Sequence, residues 1–123
     1  MPYQKGSPHD LLIPGWVVKT ANFSASGTSS KESHYLVSAA GLTVTLPEVG
    51  STTTYKEITV MCGVDNAGTI VARDSTDTIT RGTTTGGVTV TNTSGKAGDF
   101  VMIKAGGAGL WTVVQQKGEW TIA

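Results

Sequence analysis

From Tyr35 onward the chain is a succession of short runs in which apolar and hydroxyl side chains alternate, each run cut off by Gly, Asn, Asp or Ser. Examples are Leu42-Thr43-Val44-Thr45-Leu46-Pro47, Ile58-Thr59-Val60-Met61-Cys62, Gly87-Val88-Thr89-Val90-Thr91-Asn92 and Phe100-Val101-Met102-Ile103. A period of two places successive side chains on opposite faces of a pleated strand, so one face can be buried while the other meets water. No stretch repeats at helical spacing. The 20 threonines suit strands and the 16 glycines suit tight turns. The fold expected is therefore all-β, an antiparallel β-sandwich or jelly-roll-like domain.

With 123 residues the chain is long enough for one modest core and one domain. Nine basic and nine acidic residues cancel, and the lysines and arginines are scattered. That balance argues against a nucleic-acid backbone or an anionic membrane surface as partner. Charged residues reach only 15%, so hydroxyls more than charges carry the solubility. The single cysteine, Cys62, can form no internal disulfide and lies in an apolar strand, where it reads as a small buried hydrophobe. The stretch Met1 to Leu12 carries Lys5, His9 and Asp10, which is unlike a signal peptide and predicts synthesis and folding in a cytosol.

Residues 1–33 differ from the rest. Pro2, Pro8 and Pro14 oppose both helix and central strand, yet Tyr3, Leu11, Leu12, Ile13 and Trp16 supply apolar anchors. An extended N-terminal arm that docks on a partner accounts for both observations; a first strand over Leu11 to Val18 covering the chain's own core is the alternative. The Ser/Gly-rich stretch Asn22 to Ser33 reads as a linker, so the expected division is an arm and linker over 1–33 and a β-domain over 34–123. Near the end, Phe100 to Ala105 and Leu110 to Gln116 flank Gly106-Gly107-Ala108-Gly109 as a hairpin, followed by a last short strand, Trp120-Thr121-Ile122. In the hairpin, apolar residues fall on both faces. Two-sided burial predicts a central strand or an outer face covered by another subunit, with Phe100, Met102, Trp111 and Val113 as the interface candidates.

No catalytic constellation emerges. His9 and His34 lie far apart, no Gly-x-Ser-x-Gly elbow occurs, and Ser94-Gly95-Lys96-Ala97 lacks the remaining parts of a phosphate loop. Asp65, Asp74 and Asp77 sit in loops that do not match a calcium-binding pattern. The expectation is a protein that is not an enzyme and that uses no cofactor or metal. Trp16, Trp111 and Trp120 are the candidates for stacking on a sugar.

The segment Tyr35 to Val114 resembles a β-domain that recurs in virion proteins of tailed bacteriophages. The likeness rests on Tyr35-Leu36-Val37, Thr43-Val44-Thr45-Leu46-Pro47, Ile58-Thr59-Val60, Gly68-Thr69-Ile70-Val71 and Phe100-Val101-Met102-Ile103, with a Gly-rich turn before Leu110-Trp111-Thr112-Val113. Thr78-Ile79-Thr80-Arg81-Gly82 departs from the usual spacing by one residue. Such domains occur in tail fibres and in small proteins that decorate capsids, often as homotrimers. The resemblance implies a capsid decoration or cement protein on the virion surface. Three copies would then sit on the major capsid protein, held by the arm residues Tyr3, Leu11, Leu12, Ile13 and Trp16. It also implies an alternative, a tail-fibre or receptor-binding module that recognises a host glycan.

Overall fold

The computed structural model describes residues 16–26, 33–49, 56–65, 68–74, 76–82, 86–106 and 109–123. Eleven strands lie among them: β1 (Trp16–Lys19), β2 (Phe23–Ser24), β3 (His34–Val37), β4 (Thr43–Thr45), β5 (Glu57–Cys62), β6 (Ile70–Ala72), β7 (Thr78–Thr80), β8 (Thr89–Asn92), β9 (Phe100–Gly106), β10 (Leu110–Lys117) and β11 (Trp120–Ile122). They form two sheets. One has six strands in the order β1-β3-β5-β9-β10-β7, the other five in the order β11-β8-β6-β4-β2. The all-β sandwich is present.

The path through it is not that of an antiparallel sandwich. From β1 to β9 the chain changes sheet at every step, so β3, β4, β5, β6 and β8 each lie beside the strand two places earlier, whereas β7 goes to the far edge of its sheet and β9 takes the place beside β5. Returning to the same sheet after each crossing makes β1, β3 and β5 parallel, and likewise β2, β4 and β6. β10 and β7 are parallel as well. Antiparallel pairing is confined to β5 with β9, β9 with β10, β6 with β8 and β8 with β11. The expected antiparallel arrangement is thus corrected to mixed sheets. Alternation reports which face of a strand is buried, and it says nothing about the direction of the neighbour.

The core fills the space between the sheets with the inward residues of both. Tyr35, Val37, Ile58, Val60, Cys62, Val101, Ile103 and Trp111 come from one sheet; Val44, Val71, Val90 and Trp120 come from the other. Polar atoms carried inward find partners, as burial requires. The Trp111 indole N–H donates to the Pro47 carbonyl at 3.2 Å, and that of Trp120 donates to the Lys117 carbonyl at 2.9 Å. The Tyr35 hydroxyl accepts from the Ser26 amide at 2.9 Å. Strands β1 and β2 lie in the stretch expected to form arm and linker; both are edge strands of the sheets.

Candidate interaction surface on the six-stranded sheet

Because side chains alternate, inward residues at Val17, Tyr35, Val60 and Val101 oblige their neighbours in sequence to face away from the core. Two parallel registers, β1 with β3 and β3 with β5, and the antiparallel register of β5 with β9 line these outward residues up across four strands. One row runs Trp16, His34, Thr59, Met102; the next runs Val18, Leu36, Met61, Phe100. Six of the eight are apolar. Val18 is 59% exposed, while Thr59, the shortest side chain of the group, is only 5% exposed. Trp16, His34, Thr59, Met61, Phe100 and Met102 line a shallow depression of about 210 Å³.

The histidine in this surface is held in place. Its ring meets that of Trp16 edge-on, with centroids 5.1 Å apart and planes at 69°. The Ser33 hydroxyl lies 2.9 Å from His34 Nδ1. Beyond the apolar rows the surface turns polar, since Glu57 stands opposite Lys104, which in turn stands opposite Thr112. An apolar centre with a polar rim is the usual anatomy of a protein contact. The outer face of the five-stranded sheet is different: Thr43, Ile70, Thr91 and Thr121 share one row, and Thr45, Ala72 and Thr89 the next. It is largely hydroxyl and methyl, and suits water.

The expected site residues divide accordingly. Tyr3, Leu11, Leu12 and Ile13 lie outside the described residues. Trp16 opens the apolar surface on edge strand β1, and Phe100 and Met102 close it on β9. Trp111 and Val113 are corrected from interface to core: they are 0% and 6% exposed, packed between the sheets where no second chain can reach. The two-sided pattern of β10 has a local cause. Alternation after inward Trp111 and Val113 leaves Val114 on the outer side at 50% exposure, and the register with β9 then slips between Val113 and Gln115, a β-bulge that puts Gln115 opposite outward-facing Met102. Leu36, Met61 and His34 complete the surface although sequence reasoning passed over them. Their signal was present in apolar residues of both parities along β3 and β5, the mark of parallel strands covered on both faces.

Other candidates are engaged internally. Trp120 is 3% exposed and offers no platform for a sugar. The Asp74 carboxylate accepts from the amides of Thr76 and Asp77 at 2.9 and 3.0 Å. Burial alone would raise its pKa; those donors and the Thr76 hydroxyl hold it below the usual carboxylate value. Asp77 accepts from the Val49 amide, and Asp65 from the Ala97 amide. No group of three potential metal ligands occurs among the described residues. Asp99, 4% exposed, accepts from the Asn92 side-chain amide, the Ser94 hydroxyl and the Lys96 amide, closing the β8–β9 loop. Burial would raise its pKa too, but the Ser94, Asn92 and Lys96 donors and the charge of Lys117 bring it below the ordinary value. Cys62 is fully buried with Thr69 as hydrogen-bond acceptor, and burial pushes its thiol pKa up.

Fold and surface together define a mixed β-sandwich with one apolar outer face and one hydroxyl outer face. Comparison with known proteins adds no relative: no family model, no curated protein and no solved structure matches this chain.

Proposed function

We propose that this chain is a structural protein of a bacteriophage virion, a capsid decoration protein that assembles as a homotrimer and grips the major capsid protein through its N-terminal arm. The observation that carries the reading is the apolar double row on the six-stranded sheet, from Trp16 and Val18 across to Met102 and Phe100. Parallel strands are ordinarily covered on both faces, and among the described residues only the inner face is covered, by the chain's own second sheet.

A second copy is the occupant that fits. The chain carries nine positive and nine negative side chains, so copies approach without net repulsion. Beside the rows, Glu57 and Lys104 stand opposite each other and leave no unmatched charge at that border. Three such faces set around a threefold axis would form the walls of a prism, with Met61, Phe100 and Met102 toward the axis. Each strand β1 would then lead outward to residues 1–15, leaving three arms free for the shell. Many identical weak contacts acting together would stabilise the capsid without any chemistry.

Light scattering on the purified chain tests the assembly. The expected mass is that of three copies, and Met61→Glu should reduce it to one. A wild-type monomer at every concentration overturns the trimer. Deleting residues 2–13, which stops short of β1, should keep the trimer and abolish binding to shells of the capsid protein. Retained binding refutes the arm's role.

A further inference from the structure

We propose that the free edge of β10 is a peptide-binding site, where an extended, acidic segment of a partner protein adds as a further strand beside Arg81. The site goes beyond the trimer reading and does not depend on it.

Strand β10 is longer than its edge neighbour. It runs from Leu110 to Lys117, but β7 pairs only with Leu110, Trp111 and Thr112. β7 ends at Thr80, and Gly87 returns on its far side, opposite Ile79. From Val113 to Lys117, about 13 Å at 3.3 Å per residue, no strand among the described residues pairs with β10 on the side away from β9. A groove marks this stretch. Val113, Val114, Gln115 and Gln116 line it with Arg81, around a volume of about 270 Å³. Val113 is buried toward the core whereas Val114 and Gln115 are exposed, and residues of both faces meet at the edge of a strand. Val114 also borders a second depression, of about 250 Å³, on the outer face beside Thr112 and Lys104, and so offers an apolar seat for an incoming side chain.

Arg81 gives the groove its selectivity. Its Nη1 donates to Gln116 Oε1 at 2.7 Å and to the Trp120 carbonyl at 2.8 Å, which fixes the guanidinium between the two sheets. Both acceptors are neutral oxygens, so these bonds position the group without cancelling its charge. A carboxylate entering here meets a donor already in place. The rest of the segment meets the backbone N–H and C=O groups that an unpaired edge presents. Backbone pairing then supplies affinity, and the acidic side chain supplies choice.

The segment comes from another protein. Residues 11–13 of the same chain precede β1 by three to five residues, a reach of about 10–17 Å. Four strand spacings, about 19 Å, separate β1 from β10. The arms of neighbouring copies are engaged on the shell in the reading above.

The test is selection of random octapeptides from a display library on the wild-type chain, with the selected peptides then synthesised and mapped by amide shifts of isotope-labelled protein. Expected are peptides that carry Asp or Glu and shift the amides from Val113 to Lys117. Arg81→Gln should weaken them about tenfold or more, and Arg81→Lys should keep the preference for the acid, with circular dichroism to confirm folding. Replacing the peptide's own acid by its amide should give the same loss without touching the fold. Peptides without acidic preference, or mapping elsewhere on the chain, overturn the site. So does a library that yields no binder, which would mean that the bulge closes the edge to other chains. Displacement of the selected peptide by one of residues 8–15 would give the edge to a neighbouring copy's arm and overturn the partner. None of these readouts is the mass of the assembly, so the trimer stands or falls separately.

Discussion

Gly118, in the turn from β10 to β11, has φ +89°, and a Cβ built on it would collide with the Asp99 carboxylate. The substitution Gly118→Ala thus carries three costs. A left-handed backbone costs an alanine about 1–2 kcal/mol, less the roughly 0.4–1 kcal/mol gained by restricting the unfolded chain. Forcing a methyl group into occupied space costs about 1–3 kcal/mol. The carboxylate cannot retreat freely, because Asn92, Ser94 and the Lys96 amide all donate to it. Weakening bonds to a charged, buried group adds about 1.5–3 kcal/mol. The total is about 2.5–7.5 kcal/mol, a large part of the 5–15 kcal/mol typical of a domain. Gly82 is the control: φ is +57° and nothing lies within 4 Å of the added Cβ, so Gly82→Ala meets backbone strain alone. At roughly 3–5 °C per kcal/mol for a chain of this size, Gly118→Ala should lower Tm by about 8–38 °C and Gly82→Ala by only a few degrees. Thermal unfolding followed by circular dichroism measures both. Equal shifts for the two would refute the idea that Asp99 is locked against the turn.

The same carboxylate contributes to the stability of the fold against acid. Its pKa lies below the ordinary value in the folded chain, so its contribution is complete above the unfolded carboxylate value and is lost as pH falls through the folded one. Urea unfolding between about pH 5 and pH 2 should show stability falling for the wild type and a flatter profile for Asp99→Asn, which starts lower at neutral pH; identical profiles would exclude Asp99 as a main acid sensor. Cys62 should resist a thiol reagent such as a maleimide in the native protein and react only at the rate of unfolding, because its sulfur is buried and its thiolate disfavoured. Prompt labelling under native conditions would show that β5 opens locally.

Much of the strand content could be read directly. Leu42 to Leu46, Ile58 to Cys62, the hairpin of β9 and β10 and the last strand at Trp120 all declare themselves by alternation, which depends only on one face being buried. Strand direction was hidden, because Tyr35 and Val37 point inward whether the strand beside them runs up or down. The interaction surface was half legible for the same reason. Phe100 and Met102 stand out as apolar residues on the face opposite Val101 and Ile103. That Met61, Leu36 and Trp16 extend the patch depends on parallel registers joining segments far apart in sequence. Trp111 misled because Val114, an apolar residue left on the outer side of β10, makes a strand buried on one face look two-sided.

The habit of crossing from sheet to sheet also dictates when the molecule can form. Most neighbours in either sheet have at least one strand of the other sheet between them in the chain, and among the described residues the hairpin of β9 and β10 is the one pairing between consecutive strands. Local contacts are few, so loop closure must precede most of the reward, and folding over milliseconds to seconds is the expected regime. On the ribosome the consequence is sharper. β10 sits between β9 and β7, and β8 awaits β11, so early strands emerge with no finished sheet to join. A growing chain must stay soluble on its threonines and glycines until nearly all of it has been delivered, and then close in a single cooperative event.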